Sequence, residues 1–379
     1  MKILHIIIGL NSGGAELMLS RLALSHRSNR SQHVVVSLTS VGVVGSKLLL
    51  SGIQVHALGL VGLSTLPRTI FRLFQLIRSQ KPDIVQTWMY HADLLGGVIA
   101  YFCGVRRILW GIRSTDISRG GNPRTLFIRK ICSLISSTIP YRIIFNSKAS
   151  VLLHSQCGYD ESKVVVIPNG IDWALFQVPD ENKINFKSSL NLEPYLVVGA
   201  FGRFNEIKGF DLFIKAAAKV AKEKSDIRFL LAGKGMDCNN ARLVSLLNAT
   251  QYEDRFVMLG HRDDINLCLS ILDIYCLPSR SEGFPNILGE AMSAGIPCVA
   301  TDVGDAAYLM GGTGFIVKPE DAEMLADSII SMANLSSDER KVMGRFASKR
   351  VKENFSMDAC VQKFDCLYKE SISSAGNLY

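Results

Sequence analysis

No two of the nine cysteines are spaced C-x-x-C, and an odd, scattered set of thiols argues against both a disulfide framework and a zinc knuckle. A reducing compartment fits that pattern. Proline is scarce, at 11 residues, and only 20% of a chain that is 48% hydrophobic is charged. This excludes a disordered, collagen-like or charge-rich coiled-coil protein. Long apolar runs are also missing. The longest beyond the start, Leu94 to Val105, falls short of the roughly 20 residues of a membrane span. The opening MKILHIIIGLNSGGAE passes from its apolar run into Gly and Glu instead of a small-residue cleavage site, so it reads as a buried strand and not as an export signal. The expectation is a cytoplasmic protein that does not cross a bilayer.

The 379 residues exceed one ordinary domain and suit two of roughly 150 to 200 residues each. Their net charge of +8 is unevenly placed: residues 1–175 hold 19 Lys and Arg against 7 Asp and Glu, a net +12, and the remainder holds 23 against 27, a net −4. A basic half is either a merely soluble surface or a footprint for an anionic lipid surface or a phosphorylated acceptor. Nucleic acid is not expected, because there is no RNP-like aromatic run, no finger spacing and no continuous basic helix. In LPRTIFRLFQLIRSQK, Leu66, Ile70, Leu73, Phe74 and Ile77 recur at helical spacing between Arg68, Arg72, Arg78 and Lys81. Such a helix packs on a sheet or lies on a membrane, which would make the protein peripheral at its inner face. Arg119 to Lys130 is a second basic stretch of this kind.

Short β-branched runs alternate with helical patterns along the chain, which predicts α/β architecture with parallel sheets and crossover helices. Strands are expected near Ile3, His33, Gln54, Asp83, Arg107, Arg142 and Val164, then near Tyr195, Arg228, Arg255, Ile274, Cys298 and Gly314. Pro168 to Pro194, polar and proline-rich, reads as a linker between two doubly wound domains. Ser356 to Glu370 reads as a helix with one apolar face.

Four segments carry candidate chemistry. In GLNSGGAE, Gly13 and Gly14 lie at a strand-to-helix turn, which is either an anion-binding terminus or an unliganded tight turn. The spacing is not G-x-G-x-x-G, and no P-loop Lys follows. In AFGRFNEIKGF, Arg203 lies in the loop after an apolar strand and Lys208 near the first turn of the following helix, and two cations five residues apart suit a pair of phosphates. In SRSEGFPNILGEAMSAGIP, Glu282 precedes a helix opened by Pro285 and Glu290 lies inside it, so both carboxylates are able to face one cleft. Gly289 within that helix implies close approach of a neighbour or a ligand. In QTWMYHADLLGG, His91 and Asp93 follow a strand, at the edge where open α/β sheets bind ligands. Asp302 and Asp305 also follow a strand, as helix caps or ligand contacts.

In this order the segments resemble the retaining glycosyltransferases of family four: Gly13-Gly14-x-Glu16, the His91 loop, Gly202-Arg203 with Lys208-Gly209, and Glu282-x7-Glu290, with Pro168-Asn169-Gly170-Ile171-Asp172 leading into the linker. The resemblance spans nearly the whole chain. It implies the GT-B fold, two Rossmann-like domains facing across a cleft. Residues 1–175 would form the acceptor domain and 176–355 the donor domain, with a C-terminal helix, about 356–379, crossing back to the first. It implies a UDP- or GDP-sugar donor, no cofactor and no metal. The acceptor would be a glycan or a polyprenyl-diphosphate-linked one, as in surface polysaccharide assembly. By the same resemblance Arg203 and Lys208 hold the diphosphate with amides around Ile287 and Leu288, and Phe284 and Asn286 belong to the same substrate loop. Glu290 accepts from the ribose, Glu282 contacts the sugar, His91 lies beside the anomeric centre, and Gly13 and Gly14 bring a backbone amide to the donor. Pro285 stands where many members have Gly, and removes an amide from the sugar pocket. No D-x-D has the strand context of a metal-dependent transferase; Asp263-Asp264 opens a helix instead. Rival readings on the same fold are an epimerase or hydrolase, a phosphorylase, and a degenerate glycan-binding protein; the four intact charged residues oppose the last. His261 and Arg262 fall near where a base would bind, and the base itself is not specified.

Overall fold

The computed structural model describes residues 1–11, 13–25, 31–113 and 122–373. Arg119, in the second basic stretch, lies outside them. The chain divides into two compact units, one comprising Met1–Gly170 with the segment from Met357 onward, the other Ile171–Ser356.

The first unit is built on seven parallel strands: β1 (Lys2–Ile7), β2 (Gln32–Ser37), β3 (Gln54–Ala57), β4 (Ile84–Trp88), β5 (Ile108–Ile112), β6 (Arg142–Phe145) and β7 (Val164–Val166), in the order β3-β2-β1-β4-β5-β6-β7. Their crossovers are α1 (Gly14–Ser25), α2 (Gly42–Leu50), α3 (Leu66–Gln80), α4 (Tyr90–Phe102), α5 (Pro123–Ile135) and α6 (Lys148–Gln156). The central strands β1, β4 and β5 are buried almost throughout, as near-continuous apolar runs require when both faces are covered. Leu19, Leu22 and Leu48 of α1 and α2 cover one face, while Leu73, Ile77, Ile99 and Cys132 of α3, α4 and α5 cover the other.

The second unit holds β8 (Leu196–Phe201), β9 (Ile227–Ala232), β10 (Phe256–Met258), β11 (Ile274–Leu277), β12 (Cys298–Thr301) and β13 (Gly314–Val317), ordered β10-β9-β8-β11-β12-β13. Its helices are α7 (Asp180–Ser189), α8 (Phe210–Glu223), α9 (Ala241–Asn248), α10 (Ile265–Ser270), α11 (Asn286–Ser293), α12 (Ala306–Met310), α13 (Ala322–Asn334) and α14 (Ser337–Asn354). Every strand the sequence predicts is present, with ends shifted by a residue or two. In both sheets the order reverses beside the first strand, between β1 and β4 and between β8 and β11. At such a switch point the neighbouring crossovers run to opposite faces and leave a crevice at the carboxyl ends of the strands.

The stretch expected to be a linker is largely folded. Ile171 and Phe176 are buried in the second unit's core, and Phe186 and Leu190 pack against it from α7 and just beyond. Acidic residues in the first turn of α7 and Lys187 in its last suit the helix dipole. These outweigh the prolines, which stand outside the helix.

From Met357 the chain returns to the first unit as α15 (Met357–Ser373), and Cys360, Val361, Phe364, Leu367 and Tyr368 complete the core on the α1 face. The Tyr368 hydroxyl donates to the buried Gln86 side-chain oxygen. Full burial of one large apolar side chain stabilises by about 1.5–3 kcal/mol, so this helix is a principal part of the first core. Gly170 allows its entry, because a Cβ there would stand 2.9 Å from the Met357 Cα.

Candidate active site

At the second switch point the β8 loop is shaped by glycines. Gly202 has φ +155°, and a Cβ on Gly233 would stand 2.0 Å from the Gly202 carbonyl oxygen, so only glycine lets the ends of β8 and β9 approach. The Asn205 side chain accepts from the Lys208 N–H at 3.0 Å and caps a 3₁₀ turn over Glu206–Lys208. Gly209, at φ +64°, closes that turn against Pro278, whose carbonyl oxygen would lie 2.0 Å from an added Cβ. Lys208 therefore ends a short turn and does not open α8.

This geometry delivers Lys208 to the loop after β11. Its Nζ donates to Glu282 Oε1 at 2.7 Å, and the Ser279 hydroxyl donates to the same oxygen at 2.6 Å. Both partners of the pair are largely shielded, so removing either would strand the other's charge. Arg280 fixes the two loops together. It donates through both terminal nitrogens to Asp211 at 2.7 Å, to the Glu206 carbonyl at 2.8 Å and through Nε to Glu320 at 2.7 Å, while its backbone N–H donates to Ile207. The Arg280 guanidinium holds the Asp211 carboxyl below its ordinary range. Arg280 was missed in the sequence because its partners are distant along the chain.

The remaining expected residues are distributed as follows. Arg203 is exposed beside this turn and makes no ion pair among the described residues. Glu290 is half-buried on α11, and burial pushes the Tyr275 hydroxyl on β11 well up. Phe284 turns into the core against Phe355. Asn286 opens α11, and the Leu288 N–H donates to the Pro285 carbonyl at 3.1 Å, leaving Ile287 as an amide at that terminus with no acceptor among the described residues. The close neighbour of Gly289 is Ile171, whose Cδ1 would lie 2.1 Å from an added Cβ. Gly304, at φ +57°, sits against the Glu282 and Gly283 carbonyls, and the Asp305 N–H donates to Gly283, holding the Glu282 loop from below. Arg262 is committed to Asp264, and His261 is exposed.

In the first unit, Gly14 begins α1, and the Gly13 carbonyl accepts from the Leu17 N–H. After β4 the backbone passes through Met89 at φ +73°, an uncommon conformation for a side-chain-bearing residue, two residues before His91. His91 lines a cavity of about 430 Å³ at the starts of α3, α4 and α5, and burial lowers its pKa. Asp93 goes the other way. Two residues along a helix is about 200° of rotation, which turns it into the core, where it accepts from Thr87 at 2.6 Å and burial pushes its pKa up to about 7. Arg113, after β5, stacks on Trp88 at 4.9 Å and donates to the Asn169 side chain at 2.9 Å, tying the sheet edge to the Pro168–Gly170 segment.

Paired Rossmann-like units, one with a shielded cation and carboxylate at its switch point, have the architecture of the B-type glycosyltransferases. The profile described as "Glycosyltransferase Family 4" matches residues 12–174, and that described as "Glycosyl transferases group 1" matches residues 195–334. The chain belongs to glycosyltransferase family 4 and is a glycosyltransferase. It is 31% identical over 283 residues to the N-acetyl-alpha-D-glucosaminyl L-malate synthase of Bacillus anthracis, covering 72% of this chain and 70% of that one. It is 24% identical over 315 residues to the UDP-Gal:alpha-D-GlcNAc-diphosphoundecaprenol alpha-1,3-galactosyltransferase of Escherichia coli, covering 80% of each. Anabaena HepE, crystallised in complex with UDP, has the same fold, with a TM-score of 0.86, 23% identity and coverage of 99% of this chain and 100% of that one.

Proposed function

We propose that the protein moves a sugar from a UDP- or GDP-sugar, with retention of configuration and without a metal, onto a lipid-linked or oligosaccharide acceptor in surface polysaccharide assembly. The observation that carries this reading is the Lys208–Glu282 pair at the carboxyl edge of the second sheet, strapped by Arg280. As the glycosidic bond breaks, negative charge grows on the diphosphate and positive charge on the sugar. Lys208 and Arg203 stabilise that developing negative charge more than the ground state, and the Ile287 amide adds a donor. The acceptor oxygen bonds to the anomeric carbon on the face the phosphate leaves, and its proton passes to the departing phosphate oxygen. Glu282 orients Lys208 before the donor arrives and then contacts the sugar; it is not a nucleophile. Glu290 accepts from the ribose hydroxyls, His91, neutral at pH 7, stands beside the sugar, and Gly13 and Gly14 offer a backbone amide.

The lipid-linked acceptor is supported by the basic first 175 residues and by the diphosphoundecaprenol named for the Escherichia coli relative. Among the described residues no helix is long and apolar enough to cross a membrane, and the basic face of α3 suits peripheral attachment to an anionic inner leaflet. A thermal-shift panel of nucleoside diphosphates tests the donor. A ligand at 100 times its Kd stabilises by about 2.7 kcal/mol, so UDP or GDP should raise the melting temperature of the wild type and not of Lys208→Ala. The absence of a response to every nucleoside diphosphate would end the proposal.

A further inference from the structure

The cavity beside His91 has a composition that the donor chemistry does not use. At about 430 Å³ it falls within the roughly 300–1,000 Å³ typical of ligand sites. Leu38, Leu60, Leu63, Leu66, Leu94 and Leu95 form most of its wall, and its polar side chains are Thr39, His91 and Arg124. Thr39 is already engaged, donating to the Ile8 carbonyl at 2.8 Å. A sugar enclosed there would leave most of its hydroxyls without partners, which is costly. An apolar chain makes no such demand.

The rim points the same way. Val61 and Leu63, which line the cavity, are 91% and 87% exposed, an arrangement that marks a surface awaiting an apolar partner. Arg124 lies at the start of α5, and Arg68 is exposed on the first turn of α3, the helix whose Leu66 also lines the cavity. Leucine walls with cations at the rim complement an amphiphile that has a hydrocarbon chain and a phosphate head.

We propose that this cavity takes the phosphate-proximal part of an isoprenoid chain of a lipid phosphate acceptor, with the phosphate at Arg124 and the acceptor sugar beyond it, outside the leucine walls. The inference rests on the lipid-linked acceptor in the functional reading above and names where that lipid is held. It also accounts for the exposed apolar residues that precede α3, which the sheet does not need.

Farnesyl phosphate is a soluble probe with one chain and one phosphate, and its binding to the full chain is measured by titration calorimetry. Wild type and Lys208→Ala should bind it alike. Val61→Gln/Leu63→Gln, altered at exposed positions that leave the core intact, should bind at least tenfold more weakly, and Arg124→Gln severalfold more weakly. Inorganic phosphate at the same concentration should give no comparable heat. A diazirine-bearing farnesyl phosphate should label peptides containing Leu60–Leu66 or Leu94–Leu95. Equal affinity in the double variant, or labelling confined to other peptides, overturns the assignment. Failure of the donor reading is separate: the nucleoside diphosphate response would vanish while farnesyl phosphate still labels the cavity.

Discussion

The two units share a sheet order up to the first unit's additional edge strand, yet their switch points are furnished in opposite ways. In the second, Lys208, Glu282, Ser279 and Arg280 form a polar lock on loops whose spacing is set by glycines. In the first, a strained Met89 presents His91 to a leucine-lined cavity, and the nearest carboxylate along the helix, Asp93, faces the core. The topology decides where a crevice forms. The loop side chains decide whether it suits a multiply charged ligand that must be held tightly or an amphiphile that must slide in.

The largest expected effect tests the charged side of this contrast. Lys208→Ala should lower kcat by about 10²–10³-fold, the loss seen when one donor to a developing charge is removed, without changing farnesyl phosphate binding; single-turnover transfer measures it. Next is the backbone. Gly209→Ala places a Cβ 2.0 Å from the Pro278 carbonyl oxygen at φ +64°. It should cost about 3 kcal/mol or more, with calorimetry showing the second unit alone melting earlier; an unchanged profile would mean that the loops are not fixed by that contact.

A smaller effect is expected at the strap. Arg280→Lys keeps the charge but loses the two-pronged contact with Asp211. Because Arg280 acts by positioning Lys208, kcat should fall about tenfold while the KM for acceptor stays constant. The last belongs to the first unit. The Asp93 pKa is raised to about 7 in the folded chain, above the ordinary carboxyl value of about 4, so its contribution is full below pH 4 and is lost as pH rises through 7. Asp93→Asn should therefore gain stability relative to wild type between pH 5 and pH 8, read by denaturant unfolding at each pH. A difference independent of pH would show that burial does not hold this carboxyl neutral.

Much of this is legible in the order of residues alone. Strands such as Ile274–Leu277 and Cys298–Thr301 announce themselves because a strand covered on both faces must be apolar throughout. Glu282 was readable as a charge in a loop after a strand, whereas Lys208 reads as the first turn of the next helix and instead ends a separate short turn; their meeting depends on Gly209, visible only as a glycine after Lys208. The linker reading failed over α7 because its prolines are conspicuous and its contacts, through Phe186 and Leu190, are not. Arg280 in SRSEGF looks like a solvated cation; its role comes from Asp211 and Glu320, distant along the chain. The cavity was hidden because LGLVGLSTL has no periodicity, although Val61 and Leu63 in a loop were a signal.

The return of α15 sets an order on biosynthesis. The second unit, Ile171–Ser356, leaves the ribosome as one uninterrupted stretch and can close its core at once. The first sheet, made earlier, waits for Phe364 and Tyr368 to cover its face. A nascent chain stalled before Met357 would thus display a finished second unit joined to a first unit with bare hydrophobic surface, and the older unit would be the one that chaperones must guard.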